Sequence, residues 1–371
     1  MLSNLERVLF IVLVIFSSGL SFITYSRMFK AIGRGTQPIN WIEVVKNWPK
    51  GLSVFLSQRT LFKSRTLVAV IHAGVAWGFS FYLVVNIIDV LYGMIPDFHF
   101  LPNHFIGHAY RIFVDIFTMI VLFGVLYFLA RRFLLKNEKL SINEPVLITE
   151  RAKKGIKLDS MLVGTFIILH VGFRFVGASA EIALNGNDWF QPGATVLATL
   201  WSGLEQDNVV FLEHLSWWIS LGLILAFFPY FPYSKHAHLF MGPLNYMASV
   251  DRRSPATLEI MDLEDEDAEQ FGAGKIEHLP QKEILDAYAC IMCNRCQDVC
   301  PAYQTGKELS PAALEINKRY YLNDNLKDFS EGSSSLESLS KWMLSEEAAW
   351  SCTTCGFCVD TCPVGNEPKI G

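Results

Sequence analysis

The sequence predicts an all-α protein with two parts, a bundle of membrane-spanning helices and a smaller helical region rich in cysteine. Apolar residues make up 51% of the 371 residues and charged residues only 18%, whereas an average soluble domain has about 25% charged residues. The long apolar stretches lie before Tyr246, and all eight cysteines lie after it. The formal net charge of −5 leaves no basic face, so nucleic acid is not expected as a partner.

Five apolar stretches have the length of about 20 residues that a helix needs to cross a bilayer. They are Val8–Phe29, Leu67–Ile95, Ile112–Ala130, Met161–Leu184 and Val209–Tyr233. We expect the first stretch to be a retained helix and not a cleaved signal peptide, because Glu6 offsets the charge of Arg7 and no small-residue cleavage site follows. A multi-pass protein embedded in membrane lipid is therefore predicted.

The charges of the loops predict the orientation of these helices. The first connection carries seven Lys or Arg residues and the third carries eight, while the second and the fourth carry none. Loops rich in Lys and Arg stay in the cytoplasm. The N-terminus is then outside the cell inner (cytoplasmic) membrane, and the cysteine-rich region after the fifth helix lies in the cytoplasm.

Five histidines lie in the spans or at their ends, and they predict a haem. They are His72, His170, His214, His236 and His238. Two neutral imidazoles from facing helices bind haem iron as a b-type centre, and the absence of Cys-x-x-Cys-His from the sequence excludes a c-type haem. The second span begins five residues before His72 on the cytoplasmic side, where the fifth span ends. For each histidine, a hydrogen-bonded packing role is the alternative to ligation.

The five helices, the outside N-terminus and the sequence Phe-Pro-Tyr-Ser-Lys-His-Ala-His at 231–238 resemble the cytochrome b (gamma) subunit of respiratory nitrate reductase. Members of that family usually hold two haems with four histidines. The resemblance implies that His72 and His238 bind haem b on the cytoplasmic side. Tyr82 and Ser220 stand where the resemblance would place the second pair of ligands, so we expect one haem.

The alternative is a protein with two haems. His170 and His214 lie in the outer halves of their spans and offer a second pair of imidazoles. These positions do not match those of the family's second haem, so such a site would be an unusual one.

The cysteines form two copies of the motif Cys-x2-Cys-x2-Cys-x3-Cys-Pro, which together use all eight. A reducing cytoplasm disfavours disulfides, and zinc sites usually consist of two Cys-x-x-Cys pairs. The spacing is instead that of the bacterial ferredoxin run, in which the fourth cysteine of each run binds the other [4Fe–4S] cluster. Cluster 1 is then predicted to use Cys290, Cys293, Cys296 and Cys362. Cluster 2 is predicted to use Cys352, Cys355, Cys358 and Cys300.

The region between the motifs predicts helices and not strands. Segments that begin at Ser310 and Ser335 are typical of short helices, which favours a helical ferredoxin layout. The predicted fold class is therefore all-α, a five-helix transmembrane cytochrome b bundle followed by a cytoplasmic α-helical ferredoxin domain. Along the sequence, we expect the cytochrome b domain at 1–248, an acidic linker at 249–278 and the ferredoxin domain with two [4Fe–4S] clusters at 279–371.

Three segments around the motifs, at 285–290, 300–311 and 350–358, resemble membrane-bound heterodisulfide-reductase-like Fe–S oxidoreductases. These include electron-transfer-flavoprotein:quinone oxidoreductases of the haem b type. Family members continue into two cysteine-rich CCG domains, whereas this sequence stops shortly after the second motif. The resemblance thus implies two partners: a CCG-domain subunit or a missing C-terminal domain, and a cytoplasmic redox protein such as electron-transfer flavoprotein.

These features predict an oxidoreductase, a subunit or truncated part of a quinone-linked complex. It would pass electrons between a cytoplasmic donor, two [4Fe–4S] clusters, haem b and menaquinone or ubiquinone, the quinone binding near the cytoplasmic haem. One alternative is a quinol-oxidising subunit that feeds a cytoplasmic heterodisulfide or sulfur-compound reductase. Another is a membrane Fe–S sensor or scaffold without turnover. The sequence has no Walker or Rossmann fingerprint, so we expect any flavin or nicotinamide on a partner.

Two charged residues inside the fourth span need a reason, because charge in hydrocarbon is costly. Arg174 and Glu181 lie seven residues apart, close to one face of the predicted helix. They form either a paired stripe that faces the interior of the bundle or part of a quinone or proton path. The sequence leaves both interpretations open, and it identifies no catalytic residue.

Overall fold

The structure is a computed structural model, and it describes residues 2–249, 264, 272–335 and 337–368. These residues form helices and loops, with no β-strand among them. Most of the predicted acidic linker at 249–278 lies outside the described residues.

Helices α1 to α9 precede residue 250, and seven more follow residue 271. The first group is α1 (Asn4–Ile32), α2 (Trp41–Lys46), α3 (Trp48–Ser57), α4 (Thr66–Met94), α5 (Phe105–Leu129), α6 (Glu150–Asn185), α7 (Pro192–Ala198), α8 (Gln206–Phe227) and α9 (His238–Ala248). The second group is α10 (Gln281–Ala289), α11 (Arg295–Asp298), α12 (Pro301–Gln304), α13 (Pro311–Ser330), α14 (Leu339–Trp342), α15 (Glu346–Trp350) and α16 (Phe357–Thr361).

Five helical stretches among the described residues are long and apolar enough to cross a membrane, which confirms the five predicted spans. They are Asn4–Ile32, Thr66–Met94, Phe105–Leu134, Glu150–Asn185 and Gln206–Tyr233. The last stretch tightens into a 3-10 helix at Phe228–Tyr233, where Pro229 and Pro232 lack the N–H groups of a regular α-helix. The protein is thus a membrane protein, and its orientation stays a prediction.

The chain divides into two compact units. The first consists of Met1–Phe22, Leu67–Leu134 and Met161–Tyr230, and it contains the apolar bundle. Its core is a cluster of valines and aromatic rings from α4, α5 and α6. Gly78 lets α4 and α5 approach closely, because a Cβ atom there would lie 2.7 Å from Cγ2 of Val121.

The second unit consists of Ile23–Thr66, Leu135–Ser160 and Phe231–Gly371, so it contains both cysteine motifs together with two of the connections that precede membrane spans. Its central element is α13, whose residues are mostly buried. Ser310 begins this helix by accepting a hydrogen bond from the N–H of Ala313, and Pro311 occupies the first turn. The helix has 20 residues, which is longer than the short helix that the sequence predicts.

The sequence predicts a helix that begins at Ser335, and this starting position is wrong. Ser335 is not helical, because its N–H and its hydroxyl both donate to the carboxylate of Glu277. Helix α14 begins only at Leu339, after Ser338 accepts a hydrogen bond from the N–H of Ser340. A serine that can cap a helix can equally bind a distant carboxylate, and the local sequence does not distinguish the two.

Candidate redox site

The two cysteine motifs fold into loops with the same backbone. In each loop, the second and fourth residues after the first cysteine have positive φ angles: Met292, Asn294, Thr354 and Gly356. The N–H of Met292 donates to Sγ of Cys290 and the N–H of Thr354 donates to Sγ of Cys352, both at 3.4 Å. A positive φ at a residue other than glycine is strained, so the repeat of this conformation indicates that both loops serve one structural purpose.

The cysteines form two groups, each with three thiols from one motif and one from the other. One pocket is lined by Cys290, Cys293, Cys296 and Cys362. In the other group, Cys300 packs in an apolar cluster with Cys352, and the thiols of Cys300, Cys352 and Cys355 interact electrostatically with that of Cys358. The structure thus brings together the residues of both predicted ligand sets.

Burial raises the pKa of five of the eight thiols. It raises the pKa of Cys290 and of Cys358 to about 12, and it also raises the pKa values of Cys296 and Cys362. The thiolate is the form that binds metal. The site therefore suits a group that brings positive charge to the sulfur atoms.

The arrangement fits an iron–sulfur cluster better than a single metal ion. A zinc ion needs four ligands at about 2.3 Å from one centre, and no three His, Cys, Asp or Glu side chains of the described residues are arranged to hold a metal ion. In a [4Fe–4S] cluster each thiolate binds a different iron atom, so the four sulfur atoms lie further apart around a larger body. Here four thiols line one pocket.

The first loop is anchored by the segment that precedes α4. Arg65 donates to the carbonyl oxygen of Cys293 at 2.7 Å and forms a salt bridge with Asp298 at 2.6 Å. In the reverse direction, Arg295 donates to the carbonyl oxygens of Leu61 and Ser64. The loop that carries three of the cysteines is thus fixed to residues just before the second membrane span.

Buried charges surround the same pocket. Arg319 is fully buried and donates to the carbonyl oxygens of Ala287, Tyr288 and Cys290. Glu315, which lines the pocket, forms a buried ion pair with Lys318 at 2.9 Å, and burial raises the pKa of Glu315 to about 7. The sequence shows these residues only as polar positions on a helix, so their burial beside the cysteines could not be predicted.

Helix α9 connects a predicted haem ligand with the cysteine loops. It begins at His238, and near its end the hydroxyl of Tyr246 donates to the carbonyl oxygen of Cys362 at 3.1 Å. Asn245 donates to the carbonyl oxygen of Val364 at 3.0 Å and to the side chain of Asn366 at 3.1 Å. The helix therefore packs along the segment that follows the last cysteine.

The histidines at the start of α9 have different surroundings. Nδ1 of His238 lies 2.6 Å from the carbonyl oxygen of Lys235, while His236 is buried and its ring packs against Phe231 at 5.0 Å between centroids. Burial lowers the pKa of His236. The other predicted ligand, His72, lies on α4 within the first unit, so the pair His72–His238 stays a prediction.

The positions that lack histidine relative to the resembling family are filled by packed side chains. The hydroxyl oxygens of Tyr82 and Thr118 are 2.5 Å apart. The ring of Tyr82 meets that of His170 edge-on at 5.8 Å, and Phe166 stacks on His170 at 5.9 Å. Nδ1 of His170 contacts the carbonyl oxygen of Ser220 at 3.0 Å. The ring of His170 thus contacts residues at both positions, Tyr82 and Ser220.

His214 has a different partner from His170. Its Nδ1 lies 3.1 Å from a carboxylate oxygen of Glu6 on α1, and the same oxygen accepts a hydrogen bond from Trp218. These contacts engage only Nδ1 of each ring, and Nε2 of His170 is buried without a hydrogen-bond partner among the described residues, so the alternative haem at His170 and His214 stays a prediction.

Arg174 and Glu181 do not pair with each other. Arg174 pairs with Asp89 at 3.2 Å, and Glu181 accepts a 2.8 Å hydrogen bond from Tyr92. These four residues line a cavity between α4, α6 and α8, together with Glu213. The partner Asp89 was missed in the sequence, although an acid within an apolar span is the signal that would have identified it.

Loss of one member of this pair should destabilise the first unit. Replacement of Arg174 by methionine leaves the mostly buried carboxylate of Asp89 without a counter-charge, which is expected to lower the free energy of unfolding by about 3 kcal/mol. Equilibrium unfolding of the purified protein in detergent measures the effect. The variant Arg151→Met breaks an exposed pair with Asp324 and should cost less than about 1 kcal/mol. Equal losses for the two variants would contradict the expectation.

Comparison with known proteins agrees with an iron–sulfur protein. Residues 286–366 match the family model of a 4Fe-4S dicluster domain. The chain is 32% identical to a probable iron-sulfur-binding oxidoreductase FadF of Bacillus subtilis (strain 168), in an alignment that covers 84% of this chain and 46% of that protein. It is 27% identical to an EtfAB:quinone oxidoreductase of Syntrophomonas wolfei, with 82% and 45% covered.

A third relative matches a shorter part. A probable membrane-anchored ferredoxin of Chromohalobacter salexigens is 28% identical over 29% of this chain and 18% of that protein. No solved structure matches the chain. The chain spans about half the length of the FadF and EtfAB:quinone oxidoreductase relatives. It is thus related to iron–sulfur oxidoreductases, and it combines a 4Fe-4S dicluster domain with five helices able to cross a membrane.

Proposed function

We propose that the chain is a membrane electron-transfer subunit that passes electrons between a cytoplasmic redox protein, two [4Fe–4S] clusters, one haem b and the quinone pool. The names of its relatives, an iron-sulfur-binding oxidoreductase and an EtfAB:quinone oxidoreductase, support this class of reaction. They also make EtfAB, an electron-transfer flavoprotein, the first candidate for the soluble partner.

The observation that carries the proposal is the course of α9. This helix begins at the proposed haem ligand His238, and Tyr246 on the same helix contacts the carbonyl group of the proposed cluster ligand Cys362. The eight residues between them correspond to about 12 Å along an α-helix. One short helix thus begins with the proposed haem ligand His238 and, through Tyr246, contacts the proposed cluster ligand Cys362.

The hydrogen bond of His238 suits a haem ligand. When Nδ1–H donates to the carbonyl oxygen of Lys235, the imidazole takes the tautomer that presents the lone pair of Nε2 to iron. Lys235 itself is held in place, because its N–H contacts the carboxylate of Asp159 and its ammonium group donates to Ser160. The orientation of the His238 ring is therefore set by its surroundings before any iron binds.

The packing around Tyr82 supports a single haem. A second haem held by residues at positions 82 and 220 would have to occupy the space in which Tyr82, His170 and Phe166 pack against one another. A haem at the remaining pair, His72 and His238, would exchange single electrons with the clusters and with a quinone. The residues that hold the two clusters are the cysteine sets predicted from the motifs.

Analysis of the purified full chain tests this proposal. We expect one haem per chain by pyridine haemochrome titration and about eight irons in clusters, all reducible by a menaquinol analogue or by reduced EtfAB in nanodiscs. A reduced-minus-oxidised spectrum without a b-type α-band would favour the sensor or scaffold instead. Two haems per chain would refute the haem count, and reduction by neither quinol nor EtfAB would refute the proposed reaction.

A further inference from the structure

The two cysteine motifs differ sharply in what covers them. They have equal spacing and matching loop conformations, so each residue of one has an equivalent in the other. The aromatic residue two positions before the first cysteine is Tyr288 in one motif, where its side chain is 0% exposed, and Trp350 in the other, where it is 83% exposed. The aromatic side chain at this position is therefore buried in the first motif and exposed to solvent in the second.

A second pair of equivalent positions shows the same contrast. Arg295, two residues after the second cysteine of its motif, is 3% exposed, whereas its equivalent Phe357 is 55% exposed. The first motif is covered by the chain itself, by Leu61 and Ser64 from the segment before α4 and by helix α13. No described residue gives Trp350 or Phe357 comparable cover.

Two exposed carboxylates lie close to Trp350 in the sequence. Glu346 and Glu347, in the first turn of α15, are exposed and form no salt bridge with any described residue. Helix α15 packs against α12 through Ala348 and Ala302, beside Cys300 and Cys352. Both aromatic residues and both carboxylates thus lie within six residues of a ligand of the proposed cluster 2.

We propose that this face, defined by Trp350, Phe357, Glu346 and Glu347, is the docking site of a soluble redox protein with a basic surface, and that electrons enter or leave the chain at cluster 2. The inference rests on the proposed function, and it adds the order in which electrons pass through the two clusters. Cluster 2 faces the soluble partner. Cluster 1, whose ligands Cys293 and Cys362 accept hydrogen bonds from Arg65 and Tyr246, is the next centre in that order.

The charges and the aromatic residues together favour a protein partner. Exposed tryptophan and phenylalanine are typical centres of protein interfaces, and carboxylates at the rim accelerate association with a basic partner. A membrane surface is the other environment that takes exposed tryptophan. The cytoplasmic leaflet is negatively charged and would repel Glu346 and Glu347. The electron step is a one-electron exchange, in which a reduced cluster loses one electron and the partner's centre gains it.

Electron transfer to a basic probe protein tests the docking face. The full chain in nanodiscs is reduced with dithionite, the excess is removed, and its oxidation by cytochrome c, a soluble protein with a lysine-rich haem edge, is followed by stopped flow. We expect Trp350→Ala, and separately Phe357→Ser, to lower the second-order rate constant about tenfold, as for loss of an interface hot spot. Glu346→Gln combined with Glu347→Gln should weaken the decrease of the rate with salt concentration.

Two controls identify the cause of a slower rate. Trp189→Ala removes a tryptophan that is 91% exposed in the other unit and should leave the rate unchanged. Oxidation by ferricyanide, a small anion, should proceed at the wild-type rate in the Trp350→Ala variant, which shows that its clusters are intact.

Three outcomes would overturn the docking face: no change in either aromatic variant, an equal loss in Trp189→Ala, or quenching of Trp350 fluorescence by brominated lipid in the nanodisc. The last would place the residue in the membrane surface. The proposed function fails separately. A chain that exchanges no electrons with quinol, yet oxidises in a Trp350-dependent way, would refute the quinone reaction and still support the docking face.

Discussion

Replacement of His72 by alanine is expected to remove the haem from the protein, and replacement of His238 by alanine is expected to do the same. Two imidazoles hold the iron of a low-spin b-type haem, so loss of either leaves a five-coordinate iron and a loosely held haem. The reduced-minus-oxidised spectrum of the purified variants should lose its α-band, while the iron and sulfide of the clusters remain. Retained cluster iron shows that the chain is still folded.

The matched control is His278→Ala, because His278 lies in the second unit like His238 and its side chain accepts a hydrogen bond from the N–H of Gly274. This variant should keep the haem. Added imidazole should restore part of the α-band in a His72→Gly variant, because a free imidazole can occupy the space of the lost ring. A wild-type haem content in either His72→Ala or His238→Ala would refute the predicted ligands and direct attention to His170 and His214.

The sequence predicts well those features that depend on neighbouring residues. The five spans follow from continuous apolar stretches of sufficient length, and all five are present as helices. Residues 286–366 match a 4Fe-4S dicluster domain, as the spacing of the cysteines predicts. In both cases the signal lies within one short segment, so no knowledge of the tertiary structure is needed.

Features that depend on distant residues are the ones that the sequence does not reveal. The segments Ile23–Thr66 and Leu135–Ser160 contain the basic connections between predicted spans, yet they belong to the compact unit of the cysteine motifs. Their basic residues have individual partners there, as Arg65 does with Asp298 and Arg151 with Asp324. A count of positive charges predicts the side of the membrane, but it does not predict which carboxylate each charge will meet.

The pair Arg174–Asp89 illustrates the same limit inside the bundle. The sequence identifies Arg174 as a charge that needs a reason, and Glu181 is the acid nearest to it on the same helix face. The structure pairs Arg174 with Asp89 of another helix instead, since the choice depends on how α4 and α6 are packed. Helical periodicity describes one helix at a time and contains no information about that choice.

The exchange of the fourth cysteine between the two clusters has the most specific experimental consequence. Replacement of Cys362 by serine should damage cluster 1, although Cys362 belongs to the second motif, because Cys362 lines one pocket with Cys290, Cys293 and Cys296. The variant should therefore lose the same electron paramagnetic resonance signal as Cys293→Ser. Cys300→Ser should behave like Cys355→Ser, and full loss of one cluster would reduce the iron content from about eight to about four per chain.

The control for these variants is Thr353→Ser, which changes an exposed residue between two cysteines of the second motif and should retain both signals. If Cys362→Ser instead lost the signal that Cys355→Ser loses, each motif would supply all four ligands of its own cluster.

The exchange of the fourth cysteine matters for electron transfer because the short helices α11 and α16 pack together. Each joins a ligand of one cluster to a ligand of the other, Cys296 to Cys300 and Cys358 to Cys362. Two connections, each with three residues between its cysteines, then join the two clusters. They leave little freedom for the distance between the clusters to vary.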